Sequence, residues 1–275
     1  MDGREDCRVR VVSLGSGSSG NALLIQHGGT SLLLDAGLSC RDLRIRLASF
    51  GVGDHDLTAI LISHEHHDHI RGLAQFLHYQ SCQVLATGGT LHALDPGPGF
   101  PCVRLVPGKA FEVGTLAIVP IAVSHDALEP VGFVLSDGLA TAAIFTDLGT
   151  VDRAVYDALN AAQLVVLEAN YDRELLVRGS YPWPLKRRIL SSRGHLSNDE
   201  CAATLARLDL SPVREIWLAH LSAENNTPRH ALHAVQTALG GSDHRLAIRA
   251  LPRRGAPVSW DSSTADSKAR QIRLF

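Results

Sequence analysis

The sequence predicts an α/β fold in which strand ends far apart in the chain meet at one site. Two patterns carry this prediction. Strand-length apolar runs alternate with helical periodicity along the chain. Several of those runs also end in a polar residue able to ligate or hydrogen-bond: Asp35, His64, His125, Asp147, Glu168 and His220. In α/β sheets, ligands collect at the carboxyl ends of strands.

The elements follow in order. CRVRVVSLG (7–15) and NALLIQHG (21–28) flank a Gly/Ser turn, and TSLLLDAG (30–37) comes directly after, giving an antiparallel opening. RDLRIRLASFG (41–51) reads as an amphipathic helix ending at glycine. LTAILISH (57–64) is a fully apolar strand, and a helix starts near Asp68 and runs through GLAQFLHYQ. Strands over 111–146 include a hairpin turning at Asp137-Gly138. AQLVVLEAN (162–170) and REIWLAH (214–220) are further strands. One helix starts at Ser197 with a capping box to Glu200, and another at Thr227 with Pro228 in its first turn. The folded domain is expected over 1–254, with a mobile tail over 255–275.

Composition sets outer bounds. A chain of 275 residues, 45% hydrophobic and 20% charged, is long enough to bury a large core, as ordinary globular domains do. The net charge of −2 gives no global attraction for a polyanion, so a nucleic-acid surface has to be a local basic patch. Five cysteines (Cys7, Cys40, Cys82, Cys102, Cys201), odd in number and without a CxxC pair, read as reduced thiols of a cytoplasmic protein. No signal-peptide core and no membrane-length apolar run is found. Histidine is the outlier: fourteen are present against one methionine.

Ser63-His64-Glu65-His66-His67-Asp68-His69 sets four potential ligands within six residues, straight after a strand. Packing does not explain that density. Imidazoles and carboxylates suit a borderline divalent cation, zinc or manganese. The loop can point His64 and His66 at one ion and Asp68 and His69 at another, while His67 points the other way. Taken singly, His125 or His220 would read as a satisfied core histidine.

These residues fit the HxHxDH signature of the metallo-β-lactamase superfamily, which the chain resembles in motif order as well. The resemblance implies an αββα sandwich of two mixed β-sheets flanked by helices, with two divalent ions at one sheet edge. His64, His66 and His125 would hold the first ion and Asp68, His69 and His220 the second. Asp147 would bridge them, and Asp35 would support the ligand loop. A bridging Asp, where β-lactamases carry Cys, favours a hydroxide between ions about 3.5–4 Å apart, as in phosphoryl transfer. Phosphodiesterase branches place an extra His near the scissile phosphate, and His195, 25 residues before His220, fills that place as the group that protonates the leaving oxygen. Asp68, Asp147 and His195 are thus the expected catalytic residues.

Longer matches are similar to the WalJ/YycJ-type subfamily: SLGSGSSGN, SHDALEPVGF, FTDLGTV, EANYDRELL, YPWPLKRRILSSRGHLSN and LAHLSAENN. That resemblance implies a 5′-to-3′ exonuclease on double-stranded DNA in mismatch repair, working by attack of a metal-bridging hydroxide. Tyr171, where a relative carries His, departs from the pattern and is assigned no ligand role. Lys186, Arg187 and Arg188, with Arg178 and Arg193 nearby, are expected to carry phosphates on the loop before His195. Tyr181 and Trp183 would offer a stacking face, and Asn21 would meet substrate near the metals. The 73 residues from Asp147 to His220 leave no room for the inserted domain of β-CASP nucleases.

The last five residues carry Gln271, Leu274 and Phe275 in a pattern similar to the peptide by which bacterial repair proteins bind the sliding clamp. Two rival readings share the metal motif: a small-molecule phosphodiesterase with a closed pocket, and a metal-stabilised, non-enzymatic repair adaptor.

Overall fold

The computed structural model describes residues 8–95, 101–240 and 246–262. Strands β1 (Arg10–Gly15), β2 (Ala22–His27) and β3 (Thr30–Leu34) form the antiparallel opening. After α1 (Cys40–Ala48), strands β4 (Ala59–Leu61), β5 (Gln83–Thr87) and β6 (Cys102–Leu105) extend the sheet in parallel. Helices α2 (His67–Ile70), α3 (Leu73–Phe76) and α4 (Gly88–Leu94) connect them.

The second sheet repeats this plan. Antiparallel β7 (Phe111–Val113), β8 (Leu116–Ala122), β9 (Val131–Ser136) and β10 (Thr141–Phe145) lead into parallel β11 (Leu164–Glu168), β12 (Glu215–Ala219) and β13 (Ala247–Ala250). Helix α5 (Arg153–Asn160) joins β10 to β11. Helices α6 (Arg173–Arg178), α7 (Trp183–Ile189) and α8 (Asn198–Leu205) lie between β11 and β12, and α9 (Pro228–Ala238) precedes β13. Among the described residues each sheet has seven strands.

Burial follows the pleat. Leu32 and Leu34 of β3, Leu61 of β4, Leu164 and Val166 of β11 and Trp217 of β12 fill the space between the sheets. Their alternates face outward under helices: Leu33 and Ile60 pack with Leu43 of α1 and Phe76 of α3, and Val165 and Leu167 with Val155, Leu205 and Val235. Strands covered on both faces read as continuous apolar runs, which is why they stand out in the sequence. The architecture is the expected αββα sandwich.

Two local expectations change. The stretch from Gly255 contributes β14 (Val258–Asp261), which pairs antiparallel with β1 at the sheet edge. Trp260 is buried there, so the folded region runs past 254. The segment before His195, expected as a loop, contains α7. Pro182 is its N-cap and Pro184 lies in its first turn, where the missing N–H costs nothing. The clamp-type residues Gln271, Leu274 and Phe275 lie outside the described residues. Among the described residues no helix is long and apolar enough to cross a membrane, and Cys40, Cys82, Cys102 and Cys201 are free thiols.

Candidate metal centre and catalytic cleft

The site forms where the carboxyl ends of β3, β4, β10, β11 and β12 meet. Asp35 follows β3 and receives hydrogen bonds from the Ser63 N–H at 2.8 Å and the Ser63 hydroxyl at 2.9 Å. Its Oδ2 also lies 2.7 Å from His69 Nδ1. Asp35 therefore ties together Ser63 and His69, the two ends of the His-rich loop. The loop then packs against residues 36–38 so closely that a Cβ on Gly37 would fall 1.6 Å from the Asp68 carbonyl oxygen. Only glycine fits there.

Three groups of ligand-type atoms result among the described residues: His64, His66 and His125 form the first, and Asp68, His69, Asp147 and His220 the second. Asp147, Glu168, His195 and His220 form a third that overlaps the second; the first two hold the residues expected at the two ions. His125 Nε2 and His66 Nδ1 stand 3.1 Å apart, and His64 Nε2 is buried with no hydrogen-bond partner among the described residues. A buried ring nitrogen left without a partner is costly, and a cation between these nitrogens would satisfy it. In the second group, His69 Nε2 lies 3.0 Å from Asp147 Oδ2, and His220 Nε2 lies 3.1 Å from Asp68 Oδ2. His67 is exposed, as expected of the residue that points away.

Electrostatics match a cation site. Burial favours a neutral Asp147, but His220 and His69 override it and hold its carboxyl well below the usual carboxylate range. Burial likewise works against charge on His69, yet Asp147 and Asp35 hold it well above the ordinary imidazole value. For His64, burial and the neighbouring His69 act together and push it well down, leaving a neutral ring with a lone pair to offer.

Glu168, at the end of β11, is the residue whose role the sequence did not disclose beyond its place at a strand end. It is fully buried. Its Oε1 lies 2.8 Å from both His195 Nδ1 and His220 Nδ1. Its Oε2 accepts the N–H groups of Leu148 at 2.9 Å and Leu196 at 3.1 Å. One carboxylate thus orients both His220 and the expected proton donor. With Nδ1 turned to Glu168, His195 has Nε2 left for the cleft. Burial lowers the His195 imidazole, but Glu168 and Asp147 outweigh that and raise it above its ordinary value.

The cleft over the two groups measures about 320 Å³. His66, Asp68, Asp147, His195 and His220 form its floor side, while Tyr181, Leu185 and Ile189 give it an apolar wall; Ser18 and Ser222 also line it. Arg188 is the one Lys or Arg among its lining residues, and its guanidinium pairs with Asp126.

Several expected substrate contacts are corrected. Lys186 is buried, and its ammonium donates to the Val177 carbonyl at 2.8 Å and the Gly179 carbonyl at 2.7 Å. It closes the end of α6 and is not offered to phosphate. Arg187 is exposed but outside the cleft lining, as is Trp183. Arg193 bonds the His125 carbonyl at 3.1 Å, and Arg178 pairs with Glu174. Asn21 is buried and outside the cleft lining, with Nδ2 3.2 Å from Asp68 Oδ2 and 3.0 Å from His69 Nε2, so its side chain is engaged with ligand-type residues. Tyr171 is buried with Leu176 and Ile189, and burial pushes its phenol up to about 12. It stays protonated and joins neither group.

Residues 30–221 match the family described as the beta-lactamase superfamily domain. This chain belongs to that superfamily. Within it, the chain is 34% identical to the protein named exodeoxyribonuclease YycJ of Bacillus anthracis, over 82% of this chain and 87% of that one. It is 35% identical to the protein named exodeoxyribonuclease WalJ of Streptococcus pneumoniae serotype 2 (strain D39), over 84% of this chain and 88% of that one. Among solved structures, the metallo-beta-lactamase fold protein YhfI from Bacillus subtilis shares the fold with a TM-score of 0.71 at 18% identity, covering 93% of this chain and 99% of its own.

Proposed function

We propose that this superfamily member is a metal-dependent nuclease that degrades double-stranded DNA from its ends, 5′ to 3′, in repair. One observation carries the reading. Two ligand-type groups share a cleft with a Glu168-oriented histidine, in a chain about one-third identical over most of its length to proteins named exodeoxyribonucleases.

His64, His66 and His125 would hold one divalent ion, Asp68, His69 and His220 a second, with Asp147 between them. The mixed imidazole and carboxylate set fits zinc or manganese. Such ions supply Lewis acidity toward a phosphoryl oxygen and lower the pKa of water.

The chain's own residues do the rest. His195, oriented by Glu168, holds a proton at Nε2 for the leaving oxygen. Asn21 and Asp35 keep Asp68 and His69 in place. Arg188 can exchange Asp126 for a phosphate, and Tyr181 offers a base a stacking face. A cleft of about 320 Å³ can seat a terminal nucleotide, which is compatible with removal of nucleotides from an end.

A cytoplasmic, mismatch-repair setting and the use of Gln271, Leu274 and Phe275 to bind a sliding clamp belong to the same proposal. Deleting residues 271–275 should abolish clamp binding and leave hydrolysis of free DNA intact, and unchanged clamp affinity would refute the clamp role. The nuclease reading is tested by comparing kcat/KM on duplex DNA with that on a cyclic nucleotide, using protein reloaded with manganese or zinc. Preference for DNA by at least about a hundredfold is expected. A preference for the cyclic nucleotide would make this a small-molecule phosphodiesterase.

A further inference from the structure

Resting on the nuclease reading, we infer that Arg253, seated beside the Gly15–Gly20 turn, and its exposed chain neighbour Arg254 form a phosphate rail that holds duplex DNA against the cleft.

The turn is rigid and reaches the site from two sides. Gly17 N–H donates to Asn21 Oδ1 at 2.7 Å, and Gly20 N–H donates to the Gly17 carbonyl at 2.8 Å. Ser16 accepts a hydrogen bond from the His220 N–H at 2.8 Å, and the next exposed residue, Ser18, lines the cleft. Gly17 sits at φ 135°, and a Cβ there would lie 2.8 Å from Arg253 Cγ and 3.0 Å from the Leu221 carbonyl oxygen. The missing side chain at Gly17 is therefore the bed on which the Arg253 stem lies.

The loop that carries both arginines is itself tied down. Arg46 donates to the Leu14 carbonyl at 2.7 Å and the Gly255 carbonyl at 3.3 Å, clamping the segment between β13 and β14 onto the same turn. Those partners are neutral, so the Arg46 charge is not cancelled. Arg253 is half-exposed and Arg254 exposed, and neither ion-pairs with a described residue.

Charge balance gives these cations a task. The protein carries −2 overall, and Arg188 is the one fixed side-chain cation in a cleft lining that also holds Asp68, Asp126 and Asp147. Divalent ions would place positive charge at the ligand-type groups and not along the path of a duplex outside them. A polyanion is not drawn to that mouth by the protein's general field; it needs fixed cations at the rim. Arg253, lying against Gly17 next to Ser18, would supply one there with Arg254 following it in the chain, and Arg188 of α7 lines the cleft itself. A duplex would bring further phosphates to Arg253 and Arg254, whereas the phosphate of a single nucleotide seated in the cleft would be taken up at the metal site.

The test compares Arg253→Met, which keeps the stem over Gly17, with Arg253→Lys, which keeps the charge. Binding of a short blunt-ended duplex is measured across a salt series, and cleavage of the same duplex and of bis(4-nitrophenyl) phosphate is followed with metal-loaded protein. Arg253→Met should raise the duplex Kd and KM about fivefold and reduce the slope of log K against log salt by about one, with Arg253→Lys restoring the slope. Adding Arg254→Met should remove about one more. Unchanged slope and KM would overturn the rail. So would an equal loss on both substrates, which would make Arg253 a support of the His220 turn. If the wild type cleaves the small diester but neither binds nor cuts duplex at any salt, the nuclease reading falls and the rail with it.

Discussion

The two ligand-type groups are built on different principles. In the group of His64, His66 and His125, the ring nitrogens of two histidines are held by neutral groups, and a carboxylate outside the ligand-type groups, the partly exposed Asp126, lies nearby. The Ser63 hydroxyl stands 3.0 Å from His64 Nδ1, the Gly194 carbonyl accepts from His125 Nδ1 at 2.9 Å, and Asp126 Oδ1 lies 4.0 Å from His66 Nε2. In the group of Asp68, His69, Asp147 and His220, both histidines are backed by buried carboxylates, Asp35 behind His69 and Glu168 behind His220. Carboxylate support makes an imidazole a better ligand and fixes its tautomer. Backbone strain divides the same way. Asp147 at φ 57°, His220 at φ 55° and Asp35 at φ 61° are left-handed non-glycine residues, and none of the first three histidines is. Such conformations cost on the order of 1–3 kcal/mol each and persist where the surroundings impose them. The second group is thus the pre-formed, tightly held one, and the first is the more adaptable.

The largest effect should come from Asp147, the residue proposed to lie between the two ions. Asp147→Ala is expected to lower duplex hydrolysis by at least about three orders of magnitude and to reduce bound metal measured by elemental analysis. Full metal content with lost activity would place Asp147 outside metal binding. Next, His195→Ala should reduce kcat by roughly a hundredfold or more while metal content stays at the wild-type level, since proton donation is lost and no ligand is. Metal loss in that variant would put His195 in the ligand set, alongside Asp147, Glu168 and His220, with which its Nδ1 clusters.

Smaller changes sharpen the contrast between the groups. Asp35→Asn and Glu168→Gln should each weaken metal binding about tenfold to a hundredfold, read by chelator competition. In Glu168→Gln the kcat should fall further than in Asp35→Asn, because Glu168 also orients His195. Equal kcat losses would contradict that double role. The smallest expected effect is an order of release: graded chelation of the wild type should remove one equivalent of metal before the other. Simultaneous loss would show that the difference in support does not separate the two affinities.

Much of this was legible before the structure, and the reason is periodicity. Strands buried on both faces produce unbroken apolar runs, so their ends are visible, and the residues at those ends (Asp35, His64, Glu168, His220) could be read directly. What failed was read from charge and composition. Lys186 looked available because it stands between Leu185 and two arginines, yet two carbonyls at the end of α6 take its ammonium. Helix α7 was hidden by Pro182 and Pro184, which mark a first turn as readily as a loop. Strand β14, with the sequence VSWD, showed no apolar run, and it joins the sheet through backbone pairing with β1 that seats Trp260 opposite Val11. Glu168 was visible as a strand end, but its two histidine partners lie 27 and 52 positions away, a relation no local pattern encodes.

The central claim is best tested by incubating wild-type protein, reloaded with manganese or zinc, with duplex DNA labelled at the 5′ end of one strand. The account predicts metal-dependent release of labelled mononucleotides from the first time points, abolished by chelation and absent in Asp147→Ala. Intact label under every metal condition, alongside turnover of a small phosphodiester, would contradict the nuclease assignment while leaving the metal centre in place.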